Sequence, residues 1–202
     1  MIEKNEDSNQ SYKTATSGLP DSPNKTYSFY WGEYGTDQTG ITNYDKVDGS
    51  NDFGFLKPEQ DSYKGTPYLP DDVSSWTNGA LSDWDGKANS NVLKGVTTGG
   101  GSYTSYATAG HVLNTFLASA DAKGYDDWYI PSCGQLSLIY MYLISVNNAL
   151  LAIGGQPLDT RYYWSSSEHS SNSGWIVLFN NGRTFTRYKR LTSSVRFVRD
   201  IE

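Results

Sequence analysis

From Leu136 to Ile153, apolar residues recur at spacings of 3, 4, 3, 4 and 3 (Leu136, Ile139, Leu143, Val146, Leu150, Ile153), the stripe of a helix that lays one face on a core. Ser132 stands ahead of it as a cap, Gln135 completes an S-x-x-Q box after Pro131, and Gly154 marks its stop. A helix is also predicted upstream in "SYATAGHVLNTFLASADAKG", where Tyr106, Ala109, Leu113, Phe116 and Ala120 share a face and Gly124 ends the pattern. Beyond residue 160 the period changes. "RYYWSSSE", "GWIVLFNNG", "RTFTRYKR" and "SVRFVRDI" read as strands, with Trp175, Val177 and Phe179 alternating with Ile176 and Leu178, and "NNG" as a hairpin turn.

Near the start, "TYSFYWGEYG" (Thr26 to Gly35) is aromatic and compact enough for one more strand. From there to about Gly101 the chain is dense in Gly, Asp, Asn and Pro with no helical period, so residues 36–101 are expected to form a long loop insertion. Residues 1–25 are polar with mixed charge and read as a flexible leader or linker ahead of a domain spanning 26–202. Two helices with antiparallel sheets make the expected class α+β.

Composition narrows the function. The 16 Tyr and six Trp supply contact area with a polar edge, which suits adhesion and the recognition of glycans or proteins. The single cysteine, Cys133, has no partner for an internal disulfide. No apolar run approaches the roughly 20 residues of a membrane helix, so no membrane insertion by this segment is expected. Nor does a positively charged start lead into an apolar stretch; a mature secreted protein and a virion protein would both read this way.

Candidate chemistry is sparse. Cys133 follows the helix cap, where a thiol is acidified, but no second cysteine exists to pair with it. His111 lies off the apolar face of its helix and far from His169 in sequence, and no G-x-S-x-G elbow is present. "GGGS" (Gly99 to Ser102) lacks the lysine of a phosphate loop. Asp83, Asp85 and Asn89 partly echo a calcium loop, but the acid expected downstream is missing, and turn side chains bonding their own backbone explain them more simply. No catalytic residue, metal or cofactor is therefore expected. A sequence pI near 4.9 also argues against a nucleic-acid partner.

"GYDDWYIPSCGQL", then "YYWSSSEHSSNSGWIVLFNNG", then "VRFVR" follow one another over roughly Asp83 to Glu202. These motifs resemble, in order, those of a bacterial and phage family with a C-type lectin-like fold, related to formylglycine-generating enzymes and to the variable proteins of diversity-generating retroelements. The resemblance implies a C-type lectin-like fold whose first and last strands pair, here "YSFYW" beside "SVRFVR". It also implies a terminal stretch in which adenine-directed mutagenesis rewrites asparagine-type codons, which cannot yield Lys, Glu, Gln, Met or Trp. Between Asn180 and Ser194 only Lys189 departs from that repertoire. The E-P-N or Q-P-D signatures of calcium-dependent sugar lectins are absent.

Within the resembling stretch, Trp164, Ser165, Ser166, Glu168, Trp175, Val177, Phe179, Gly182, Val195 and Arg196 match the family's scaffold. Between them stand His169, Ser173, Gly174, Ile176, Leu178, Arg183, Phe185, Arg187, Tyr188, Arg190, Leu191, Thr192 and Ser194, the expected ligand-binding set. All six arginines lie at or beyond Arg161, and His169 to Arg199 holds six Lys and Arg residues and no acid, whereas the remainder holds ten basic and 22 acidic residues. A cationic patch on an acidic body steers an anionic partner to one side. The expectation is a non-catalytic protein outside the cell, on a bacterial surface or phage virion, whose region 165–196 is a diversified surface for a protein or glycan ligand. An invariant glycan-binding adhesin is the alternative, with an enzyme of the formylglycine-generating type behind both.

Overall fold

The computed structural model describes residues 29–45, 79–103, 107–153 and 157–200. The expected leader over 1–25, the middle of the expected loop insertion (46–78), Tyr106 and Gly154 lie outside the described residues. Within them the chain forms α1 (Gly86–Leu93), α2 (Ala109–Leu117), α3 (Cys133–Met141), α4 (Leu143–Ala152), β1 (Tyr162–Ser170), β2 (Ser173–Leu178) and β3 (Arg183–Tyr188). The class is mixed α+β, with one antiparallel sheet ordered β1-β2-β3.

The hairpin signal marks a real turn. Gly182 closes β2 onto β3 at φ 74°, donating its N–H to the Leu178 carbonyl at 2.8 Å, a backbone shape that favours glycine. The register pairs Ile176 with Trp164 on one side and Phe185 on the other, and Leu178 with Tyr162 and Arg183. Because successive strand residues face opposite ways, β2 serves two cores. Ile176 joins Trp31, Trp164, Phe116, Trp128 and Phe197 in one cluster, while Val177 joins Phe179, Tyr163, Leu136 and Leu150 in another. Trp175 packs on Leu81 and Cys133. Burying each such large side chain contributes about 2 kcal/mol relative to leaving it in water.

Ser132 and Gln135 close the predicted capping box, with Ser132 N donating to Gln135 Oε1 at 2.9 Å. The single helix expected to run on to Ile153 is two helices, bent by 80° at Tyr142. Neither proline nor glycine stands at the bend. The stripe instead wraps one target: Leu136 and Leu150 are buried against Val177 and Phe179, with Ile139, Leu143 and Val146 packed beside them. Asn147 fixes the second arm by a two-way clamp on Leu158, donating to its carbonyl at 2.9 Å and accepting from its N–H at 2.8 Å. Ile153, last of the stripe, ends up 52% exposed. Among the described residues no single helix is long and apolar enough to cross a membrane.

Two further expectations need correction. The region around 36–101 is not all loop, since Gly86–Leu93 is helical and buries Asn89, Ser90 and Leu93. The expected pairing of terminal strands is displaced by one segment. Phe29 exchanges hydrogen bonds with Ser193 (2.8 and 3.1 Å) and Trp31 N donates to the Lys189 carbonyl (3.1 Å), whereas Val198, in the stretch expected to pair there, bridges to Tyr129.

Candidate functional site

Lys189 is the most unusual residue of the basic stretch. Its side chain is fully buried, paired with the equally buried Glu168, and its Nζ donates to the Thr36 carbonyl at 2.7 Å. The same ammonium sits 4.8 Å from the Trp31 ring centre. Glu168 accepts in turn from Gln38 N–H, 3.1 Å from each carboxylate oxygen. Burial pushes the Lys189 amine down and the Glu168 carboxyl up, while each partner opposes the shift of the other. Lys189 thus anchors the 31–44 segment to the sheet and adds no charge to the surface.

Four of the thirteen expected ligand-binding residues also belong to the interior. Ile176 is fully buried in the core. Gly174 lies against Trp31, and a Cβ there would come within 2.7 Å of the indole. Ser173 and Ser194 are buried, and Ser194 spends its backbone on Tyr162 and Trp164. Standing between scaffold positions does not place these residues on a surface, because β2 is covered on both sides. These four residues take no part in an exposed surface.

The remaining nine fall into two groups and one outlier. Arg183, Phe185 and Arg187 are half-buried on one side of β3, in register with Leu178, Ile176 and Gly174. Tyr162 stacks edge-on to Phe185 (5.8 Å between centres) and lies under the Arg187 guanidinium at 5.0 Å, while Arg183 sits 5.6 Å from the Phe185 ring. Arg187 Nη2 donates to the Thr192 carbonyl at 3.3 Å, and Leu178 completes this stripe. At the end of β3 and just beyond it, the exposed residues Tyr188, Arg190 and Leu191 form the second group. The Arg190 guanidinium lies 5.1 Å from Tyr34, 5.9 Å from Tyr103 and 5.4 Å from Tyr188, measured to ring centres. His169 is half-buried edge-on to Trp175, and burial holds its imidazole below the usual range.

Sequence reasoning named Tyr188 but missed Tyr162, Tyr34 and Tyr103. Tyr162 sat inside a motif of the resemblance, Tyr34 inside an expected strand and Tyr103 directly after the GGGS stretch; nothing in spacing announces that segments distant in sequence converge. The cationic patch is also smaller than the sequence implied. Arg199 is engaged by Asp127 at 3.0 Å and Arg196 is half-buried, with burial lowering its pKa. That leaves Arg183, Arg187 and Arg190 as its core.

The candidate metal and thiol chemistry resolves into structure. Asp83 is buried and accepts from Asp85 N–H (2.9 Å), Asn89 Nδ2 (2.9 Å) and Ser167 Oγ (2.5 Å), so its carboxylate is filled by donors. It ties the start of α1 to β1. Cys133 is fully buried, and burial pushes its thiol well above the ordinary range, away from a reactive thiolate. Compared with known proteins, the chain matches no family model and no curated protein.

Proposed function

We propose that the chain is a non-catalytic ligand- or receptor-binding protein of C-type lectin-like fold, carried on a bacterial surface or a phage virion, with a diversified surface on and beyond β3. One observation carries the reading. In the stretch from Asn180 to Ser194, Lys189 alone departs from the repertoire of adenine-directed mutagenesis, and its side chain is fully buried in an ion pair with Glu168. Arg183, Arg187, Tyr188 and Arg190 around it are half-buried or exposed. A residue locked into the scaffold cannot vary freely, whereas its outward neighbours can. Arg and Tyr are also the side chains that dominate binding hot spots, and a stiff backbone beneath them limits the entropy lost on binding. The buried, alkaline-shifted thiol of Cys133 favours this reading over an enzyme of the formylglycine-generating type.

The encoding DNA provides the test. A near-copy of the region for residues 165–196 should lie downstream beside a reverse transcriptase gene, differing at adenines. Those differences should fall on codons for Arg183, Phe185, Arg187, Tyr188, Arg190 and Leu191, and spare those for Gly174, Ile176 and Lys189. Lack of such a copy, or differences concentrated on the buried codons, would overturn the diversified reading. In an array of glycans and surface proteins, Arg187→Ala and Tyr188→Ala should each weaken capture of the partner at least about tenfold.

A further inference from the structure

On the footing of that ligand-binding reading, we propose that Arg190 and the three tyrosines around it form a receptor for the carboxylate of an acidic saccharide. Tyr34 meets Tyr103 edge-on at 5.6 Å and Tyr188 at 6.3 Å, so the rings make walls at steep angles with the guanidinium among them. The three ring centres lie 5.1 to 5.9 Å from it, and the group remains open to solvent. Among the described residues no carboxylate forms a salt bridge with Arg190. The acids Glu33 and Asp37 act on the buried Lys189. Among the described residues, then, this cation lies among aromatic rings with no carboxylate paired to it.

That arrangement selects its ligand. With Arg190 seated among the rings, a second cation has no place there, whereas an oxyanion meets an ordered fork of N–H donors. A planar carboxylate matches the fork with two parallel bonds. Tyr188, 50% exposed, offers a ring face of the size of one sugar and Leu191, 41% exposed, flanks it. An acidic peptide is less well served. The backbone around Arg190 is spent: Lys189 N–H on Asn172, Leu191 N–H on Tyr188, and Ser193 on Phe29, so these residues offer no N–H row to a peptide strand.

Titration calorimetry on the full chain tests this with three probes: an oligosaccharide of alternating glucuronate and N-acetylglucosamine, the same oligosaccharide with its carboxyls reduced to alcohols, and polyglutamate. The intact saccharide should bind, and its reduced form should bind about tenfold more weakly or worse, the loss of a charge-assisted pair. Arg190→Lys keeps the charge but not the fork, and should show the same drop with an unchanged melting temperature. Equal binding of intact and reduced saccharide, full binding by Arg190→Lys, or tighter binding of polyglutamate would each overturn the proposal. If the saccharide fails while Arg187→Ala and Tyr188→Ala still lose the arrayed partner, the carboxylate receptor falls and the ligand-binding reading stands. If those variants also keep the partner, both fall.

Discussion

A lysine taken fully out of water is expensive unless its partner goes with it, and Glu168 does so for Lys189. The ammonium is further held by the Thr36 carbonyl and the Trp31 ring, and the carboxylate by Gln38 N–H. Removing one partner leaves the other buried and uncompensated. Lys189→Met should therefore cost about 3 kcal/mol or more of unfolding free energy, read from denaturant midpoints. The double variant Glu168→Gln/Lys189→Met should recover a large part of that loss, because a neutral amide still accepts from Gln38 and carries no stranded charge. If Lys189→Met unfolds at the wild-type midpoint, the pair does not anchor the 31–44 segment. Solvation is the reason the sequence hid this role: among arginines on a polar strand, a lysine reads as one more surface charge until its environment is known.

Elements whose signal is local were legible, and those shaped by distant contacts were not. The Ser132–Gln135 box and the Gly182 turn are set by side chains within a few residues of the backbone they serve, so spacing alone found them. The bend at Tyr142 and the helix at Gly86–Leu93 follow instead from what they pack on, Phe179 and Leu158 in one case and the Asp83–Ser167 contact in the other. β2 shows the same limit for the site. Gly174 and Ile176, expected in the ligand-binding set, lie inside because Trp31 crosses over their face. Gly174→Ala sharpens the distinction. The indole cannot swing aside freely, since its Nε1 donates to the Ser165 carbonyl at 2.7 Å. The substitution should cost about 1–3 kcal/mol as overpacking. Arg187→Ala, at the paired position on β3, should move the denaturant midpoint much less. A neutral Gly174→Ala would return that position to the candidate surface.

The way the chain closes on itself makes the whole molecule sensitive to base. Tyr129 donates to Asp200 at 2.8 Å and so fastens the C-terminal segment to the strip that leads into α3, while its backbone bridges Val198. Tyr163 joins β1 to the Asp159 turn, donating to its carboxylate at 3.1 Å, and lies in the core with Val177 and Phe179. Burial, aided by the neighbouring carboxylate, pushes both phenols up to about 12 from an ordinary value of 10.0. A raised folded value means that the unfolded chain gives up these protons first. The stabilisation is complete below pH 10 and is lost as pH rises from 10 to 12. Denaturant midpoints taken across that window should fall, and Tyr129→Phe/Tyr163→Phe should flatten the fall while starting lower at neutral pH through the lost hydrogen bonds. An equally steep decline in the double variant would mean that other groups set the alkaline limit. The sheet, the 29–34 segment and the C-terminal run, which present much of the Arg187–Tyr162 stripe and the Arg190 tyrosines, meet through the Tyr163–Ser194 and Phe29–Ser193 bridges of the same fold. Ligand capture should therefore fail over the same alkaline interval as the fold, not before it.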